Sequence, residues 1–114
     1  MKLYMCDLKD VDNNSMKRIV VGSGNDSSKY CVINIENDIY VIDDVCSHAD
    51  FSLSQGFLDG KSKEVECPKH SAVFDVETGE AKCLPATKPV ETFKAIVEDG
   101  KIFVDKYIKG QAVL

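Results

Sequence analysis

Two short stretches decide how this chain is read. Cys46-Ser47-His48-Ala49-Asp50-Phe51-Ser52-Leu53-Ser54 carries a cysteine and a histidine with one residue between them. Val65-Glu66-Cys67-Pro68-Lys69-His70 carries a second pair with two residues between. His48 and His70 are the only histidines in the chain, and each stands beside a cysteine. Two thiolates and two imidazoles can hold zinc or an iron–sulfur cluster. Zinc fingers run cysteine–cysteine and then histidine–histidine, because each pair clamps one ion. The order here is Cys-His and again Cys-His. That order lets each stretch give sulfur to one iron and nitrogen to another. A mononuclear zinc site and a pair of ordinary surface histidines both stay open at this point, although matched offsets from two cysteines argue against coincidence.

Working outward, strand patterns lie on both sides of these stretches. Lys17 to Val21 is strand-like and runs into Gly22-Ser23-Gly24-Asn25-Asp26, a turn cluster. Gly22 and Gly24 do not make a phosphate loop, because no helix and no third glycine follow. Tyr30 to Ile35 is apolar and β-branched, Glu36-Asn37-Asp38 makes a turn, and Ile39 to Ile42 resumes. Thr92 to Val97 and Lys101 to Tyr107 flank Glu98-Asp99-Gly100, a second hairpin signal. No helical period persists long enough for a long helix. Residues 43 to 89 are rich in Gly, Ser, Asp and Pro and read as a loop-rich insertion between strands.

With 114 residues the chain is one domain's worth, and its 44% hydrophobic and 29% charged content is that of a globular protein. No apolar run approaches the ~20 residues of a membrane helix. The first seven residues, Met1 to Asp7, lack the apolar stretch of a signal peptide, so a cytoplasmic protein is expected. Fourteen basic against nineteen acidic residues give a formal charge of −5. That balance argues against nucleic acid and anionic membranes as partners and suits docking onto basic surfaces. The five cysteines, Cys6, Cys31, Cys46, Cys67 and Cys83, are odd in number, which points away from a disulfide framework and towards metal chemistry.

The two ligand stretches resemble those of Rieske-type ferredoxins that serve bacterial ring-hydroxylating dioxygenases. The resemblance extends to Tyr40-Val41-Ile42-Asp43-Asp44, Gly56-Phe57-Leu58-Asp59-Gly60, Phe74-Asp75 with Thr78-Gly79-Glu80, and Lys101-Ile102-Phe103-Val104-Asp105. It covers residues 17 to 107 or so. It implies an all-β Rieske fold, an antiparallel β-sandwich with an inserted loop-rich cluster-binding subdomain. The single domain, 1–114, would have base sheets at about 1–43 and 90–107 and the subdomain at about 44–89. Cys46 and Cys67 would ligate one iron of a single [2Fe–2S] cluster, and His48 and His70 the other. Leu84-Pro85-Ala86 would cover the cluster. The implied role is an electron carrier rather than an enzyme. It would be a monomer, docking transiently on an NAD(P)H-linked flavoprotein reductase and on a terminal oxygenase. A small Rieske subunit of a nitrite reductase and a zinc-stabilised interaction module are the alternatives.

The departures from respiratory Rieske proteins bear on potential. Those proteins carry a disulfide between the ligand loops and hydroxyls that hydrogen-bond to cluster and ligand sulfur. Lys69 stands at one disulfide position, and Ala72 and Phe74 stand where the hydroxyls would be. The expected potential is therefore in the lower part of the Rieske range of about −150 to +300 mV. Among the other cysteines, Cys31 reads as a small buried apolar residue, Cys6 shows no partner pattern, and Cys83 reads as packing beside the cluster cover. Phe51, Phe57 and Phe74 read as core of the subdomain.

Overall fold

The strand Ser28–Ile35 (β3) lies at the centre because it is apolar on both sides. Successive side chains of a strand point to opposite faces. Tyr30 and Val32 enter one core, whereas Cys31, Ile33 and Ile35 enter another. A strand of this kind has to be covered twice, and the rest of the chain supplies the two covers. The computed structural model describes residues 2–22, 24, 27–46, 51–68, 72–83 (at 83 the backbone only) and 88–105.

The first cover is a six-stranded antiparallel sheet. It comprises Lys2–Asp7 (β1), Ser15–Val21 (β2), β3, Asp38–Asp43 (β4), Thr92–Glu98 (β9) and Lys101–Asp105 (β10), in the order β1-β10-β9-β4-β3-β2. Met5 and Cys6 from one end of that order share a core with Ile19 and Val21 from the other. The sheet therefore curls on itself, and its halves face each other as in a sandwich. The seam is short, with Val41 opposite Phe93 and Ile42 opposite Thr92. The Asp43 N–H extends it by donating to the Glu91 carbonyl at 2.9 Å.

The second cover is a four-stranded sheet of Phe57–Asp59 (β5), Glu64–Glu66 (β6), Val73–Asp75 (β7) and Ala81–Cys83 (β8). Its inner side chains Val65 and Phe74 join Leu53, Val76 and Val90 against Cys31, Ile33, Ile35 and Ile42. The expected loop-rich insertion thus carries a sheet of its own. Its strands are three residues each, too short for an alternation to stand out among Gly, Ser and Asp. Sequence reasoning also passed over β1. A bulge between Tyr4 and Cys6 puts the consecutive residues Met5 and Cys6 inside, which breaks the two-residue period.

Both expected hairpins form, each with a tighter turn than the three residues assigned. Glu36 and Asn37 have φ of 50° and 73°, and Asp38 already pairs with Ile35. Asp99 and Gly100 have φ of 52° and 73°, and Glu98 pairs with Lys101. Two consecutive left-handed residues make the turn that matches strand twist. The last hairpin strand ends at Asp105; Tyr107 lies outside the described residues.

Phe74 is fully buried, as expected for core, but Phe51 and Phe57 are not: they are 39% and 68% exposed. Phe57 falls on the outer face of β5, opposite Glu66. Phe74→Ala should cost about 3–5 kcal/mol, and Phe57→Ala no more than about 0.5 kcal/mol. Urea unfolding of the two variants checks this, and equal losses would contradict the packing described.

Candidate metal centre

Past the end of β4 the chain continues through Asp44 and Val45 to Cys46. Val45 bridges to Ser52, and the Cys46 N–H donates to the Phe51 carbonyl at 3.0 Å. Past β6 the pattern repeats. Glu66 pairs with Val73, and the Cys67 N–H donates to the Ala72 carbonyl at 2.7 Å. Each cysteine is thus the first residue of a loop closed by its own N–H five residues on. Each closed loop contains one histidine. The two stretches are the same hairpin frame built twice, although the histidine sits one place later in the second.

The loops are brought together by backbone contact. A 3-10 turn, Leu53–Gln55, follows the first loop and ends at Gly56. A Cβ on Gly56 would lie 1.9 Å from the Glu66 carbonyl oxygen, immediately before Cys67. Only glycine lets the exit of one loop rest on the entry of the other. Cys46 and Cys67 are 3% and 1% exposed and belong to one buried cluster with Cys31, Leu53, Val65, Ala72 and Phe74. His48, His70, Lys69 and the expected cover Leu84-Pro85-Ala86 lie outside the described residues, as does the Cys83 side chain.

The surroundings of the cysteines are apolar. Ala72 and Phe74, both fully buried, bring no hydroxyl. Cys31 is fully buried, and burial, reinforced by the nearby Asp44 carboxylate, pushes its thiol well above the ordinary value. It is an inert packing residue. Cys6, in the other core, is pushed up by burial first and by Asp10 second. Asp43, at the end of β4, is raised chiefly by burial, opposed by the Val45 N–H that donates to it at 3.0 Å.

Two thiolates in such a pocket would be costly alone, since a buried charge needs a partner of opposite sign. A metal core of formal charge +2 supplies that partner. Among the described residues no group of three or more His, Cys, Asp or Glu side chains could hold a metal ion. The donor set and its burial fit a cluster with cysteine on one side.

Comparison with known proteins decides the family. Residues 1–94 match the Rieske [2Fe–2S] domain. The chain belongs to the Rieske [2Fe–2S] family. One [2Fe–2S] cluster per chain is the cofactor that this Rieske domain implies. The 3-phenylpropionate/cinnamic acid dioxygenase ferredoxin subunit of Escherichia coli (strain K12) is 39% identical over 104 residues, which is 91% of this chain and 92% of the relative. The Sphingomonas yanoikuyae B1 ferredoxin superposes with a TM-score of 0.82 at 29% identity, over 93% of this Rieske chain and 99% of that one. A solved complex of reduced oxygenase and oxidized ferredoxin in carbazole 1,9a-dioxygenase contains a chain similar to this one. The TM-score is 0.81 at 29% identity, over 99% and 96% of the two chains. The expected all-β Rieske fold is thereby the observed one.

Sequence reasoning gave Gly56 no role of its own. Its signal is a lone glycine between the first loop and a short strand, and only the structure shows what it touches. Gly56→Ala should leave the six-stranded sheet intact and lower the cluster content severalfold. Iron per chain and far-ultraviolet circular dichroism read the two effects separately. A variant as fully loaded as wild type would show that the loops do not depend on this contact.

Proposed function

We propose that this protein is the ferredoxin component of a ring-hydroxylating dioxygenase system. It carries single electrons to the oxygenase and performs no substrate chemistry itself. Cys46 and Cys67 hold one iron of the cluster, and His48 and His70 hold the other. The observation that supports this most is the pair of matched loops, each opened by a buried cysteine and each containing one histidine. When bound, the cluster supplies one-electron redox chemistry.

The chain's own part is to hold that group in a fixed, mostly dry setting. The N–H groups of Cys46 and Cys67 are used in closing the loops. Ala72 and Phe74 exclude water and offer no hydrogen bond to sulfur. Hydrogen bonds to the sulfurs favour the reduced cluster, so the lack of hydroxyls at Ala72 and Phe74 favours a potential in the lower part of the Rieske range. A low potential suits electrons that come from an NAD(P)H-linked flavoprotein reductase.

The carbazole dioxygenase complex supports docking on an oxygenase. The formal charge of −5 makes basic patches on oxygenase and reductase the natural contacts. Among the described residues no helix is long and apolar enough to cross a membrane. A monomeric, cytoplasmic carrier is the reading we adopt. Residues 1–114 act as one domain in it, with 44–89 as the cluster-binding part. The nitrite reductase subunit and the zinc module have less support. A relative at 39% identity over 91% of the chain is a dioxygenase ferredoxin.

Iron and acid-labile sulfide analysis, with EPR of the reduced protein, should find two irons and two sulfides per loaded chain. His48→Ala and His70→Ala should abolish or grossly change the EPR signal, while Cys31→Ala should leave it intact. Zinc without sulfide would overturn the assignment. Electron transfer to the oxygenase should slow as salt rises from about 50 mM to about 500 mM, because exposed charges are screened over that range. Stopped-flow rates that ignore ionic strength would remove charge from the docking argument.

A further inference from the structure

One buried acid stands beside the first cysteine loop with a carboxylate oxygen that accepts no hydrogen bond among the described residues. Asp44 stands two residues before Cys46, and its side chain is completely buried. Its backbone and side chain tie three segments together. The Asp44 N–H donates to the Lys29 carbonyl at 3.0 Å, and the Asp44 carbonyl accepts from the Leu53 N–H at 2.7 Å. Oδ1 accepts from the Ser54 N–H at 2.9 Å. One residue thus clamps the entry of the first loop to its exit. Oδ2 has no hydrogen-bond donor among the described residues and lies 3.4 Å from Nε of Arg18, whose side chain is 40% exposed. Arg18 reaches it from β2, where it pairs with Cys31, and Cys31 pairs in turn with Ile42 of β4.

An acid used only as a clamp has no need of a charge. An asparagine would also accept the Ser54 N–H, and it would avoid the cost of desolvating a carboxylate. The structure keeps an ion pair here, with the anion inside and the cation at the surface. The anion is two residues from a cysteine at the base of the first loop. A fixed charge in a poorly solvated site acts over several ångströms, since little water screens it.

We propose that Asp44 is a positioning residue for the first ligand loop and that the Asp44–Arg18 pair sets the reduction potential of the cluster by its charge. This rests on the assignment of Cys46 as a ligand. Reduction adds one negative charge to the centre. The buried Asp44 anion disfavours that addition, and the Arg18 cation, partly screened by solvent, returns some of what the anion takes away.

The test is redox titration of the loaded protein and three variants, followed by EPR, with iron content measured on each. Asp44→Asn should raise the reduced-to-oxidised ratio at a fixed applied potential by several-fold, up to about tenfold. Arg18→Gln should lower it by about two- to threefold, less because the side chain is half in water. The double variant should fall between the two single variants and above wild type, by the part of the Asp44 effect that Arg18 does not return. Opposite signs for the two single variants are the mark of a charge effect. A merely structural clamp would change loading or stability and move the potential in no such pattern. Arg18 is on an exposed edge strand, so Arg18→Gln reads the charge effect even where Asp44→Asn loads poorly. An Arg18→Gln potential equal to or above that of wild type overturns the proposal, and so do shifts of the same sign in both single variants. Normal loading of wild type with unshifted variants defeats this inference alone. A wild type without a [2Fe–2S] signal defeats the ligand assignment and this inference with it.

Discussion

Two backbone hydrogen bonds govern the site, from the Cys46 N–H to the Phe51 carbonyl and from the Cys67 N–H to the Ala72 carbonyl. Each closes a loop at its base, and each fixes a cysteine where a ladder of strand pairing ends. Buried backbone donors must find acceptors, so these two bonds also explain why cysteine thiols can sit this deep. Gly56 then presses one loop base onto the other through the Glu66 carbonyl. These contacts add to the packing of Val65 and Phe74 against Cys31 and Ile42, which already holds the four-stranded sheet beside the end of β4.

The scaffold beneath is built for stiffness. β3 is sealed on both faces, so neither core can shift without disturbing the other. Asn34, nearly buried, donates from Nδ2 to the Val11 carbonyl and accepts from the Asn37 N–H, both at 2.9 Å. That side chain locks the β3–β4 turn to the link between β1 and β2. Fixed surroundings are what a carrier needs, because a group held by preorganised dipoles and packing reorganises little when its charge changes. The exposed aromatic and acidic residues of the second sheet contribute little to this stiffness. Phe57 on the outer face of that sheet and Phe51 at the close of the first loop both lie at the surface, so neither is core.

Much of this could be read from residues alone, for reasons that differ from place to place. The β3–β4 and β9–β10 hairpins were legible because Glu36-Asn37 and Asp99-Gly100 announce left-handed turns between apolar alternations. The Cys-His pairs were legible because chemistry restricts which residues can bind a metal. The second sheet was not, since a strand of three residues has no period to detect. The equivalence of the two loops was hidden for another reason. The histidine offsets differ, whereas the strand pairs that frame the loops, Val45 with Ser52 and Glu66 with Val73, are separated identically. Asp44 and Arg18 meet only across strands, and no local pattern links residues that far apart.

The central claim is that the two loops each give one sulfur and one nitrogen to a shared pair of irons. Electron spin-echo envelope modulation of the reduced protein, produced with nitrogen-15 in histidine only, reports directly on imidazole bound to iron. The account predicts strong couplings from two histidine nitrogens. Coupling from none, or from only one, would contradict it.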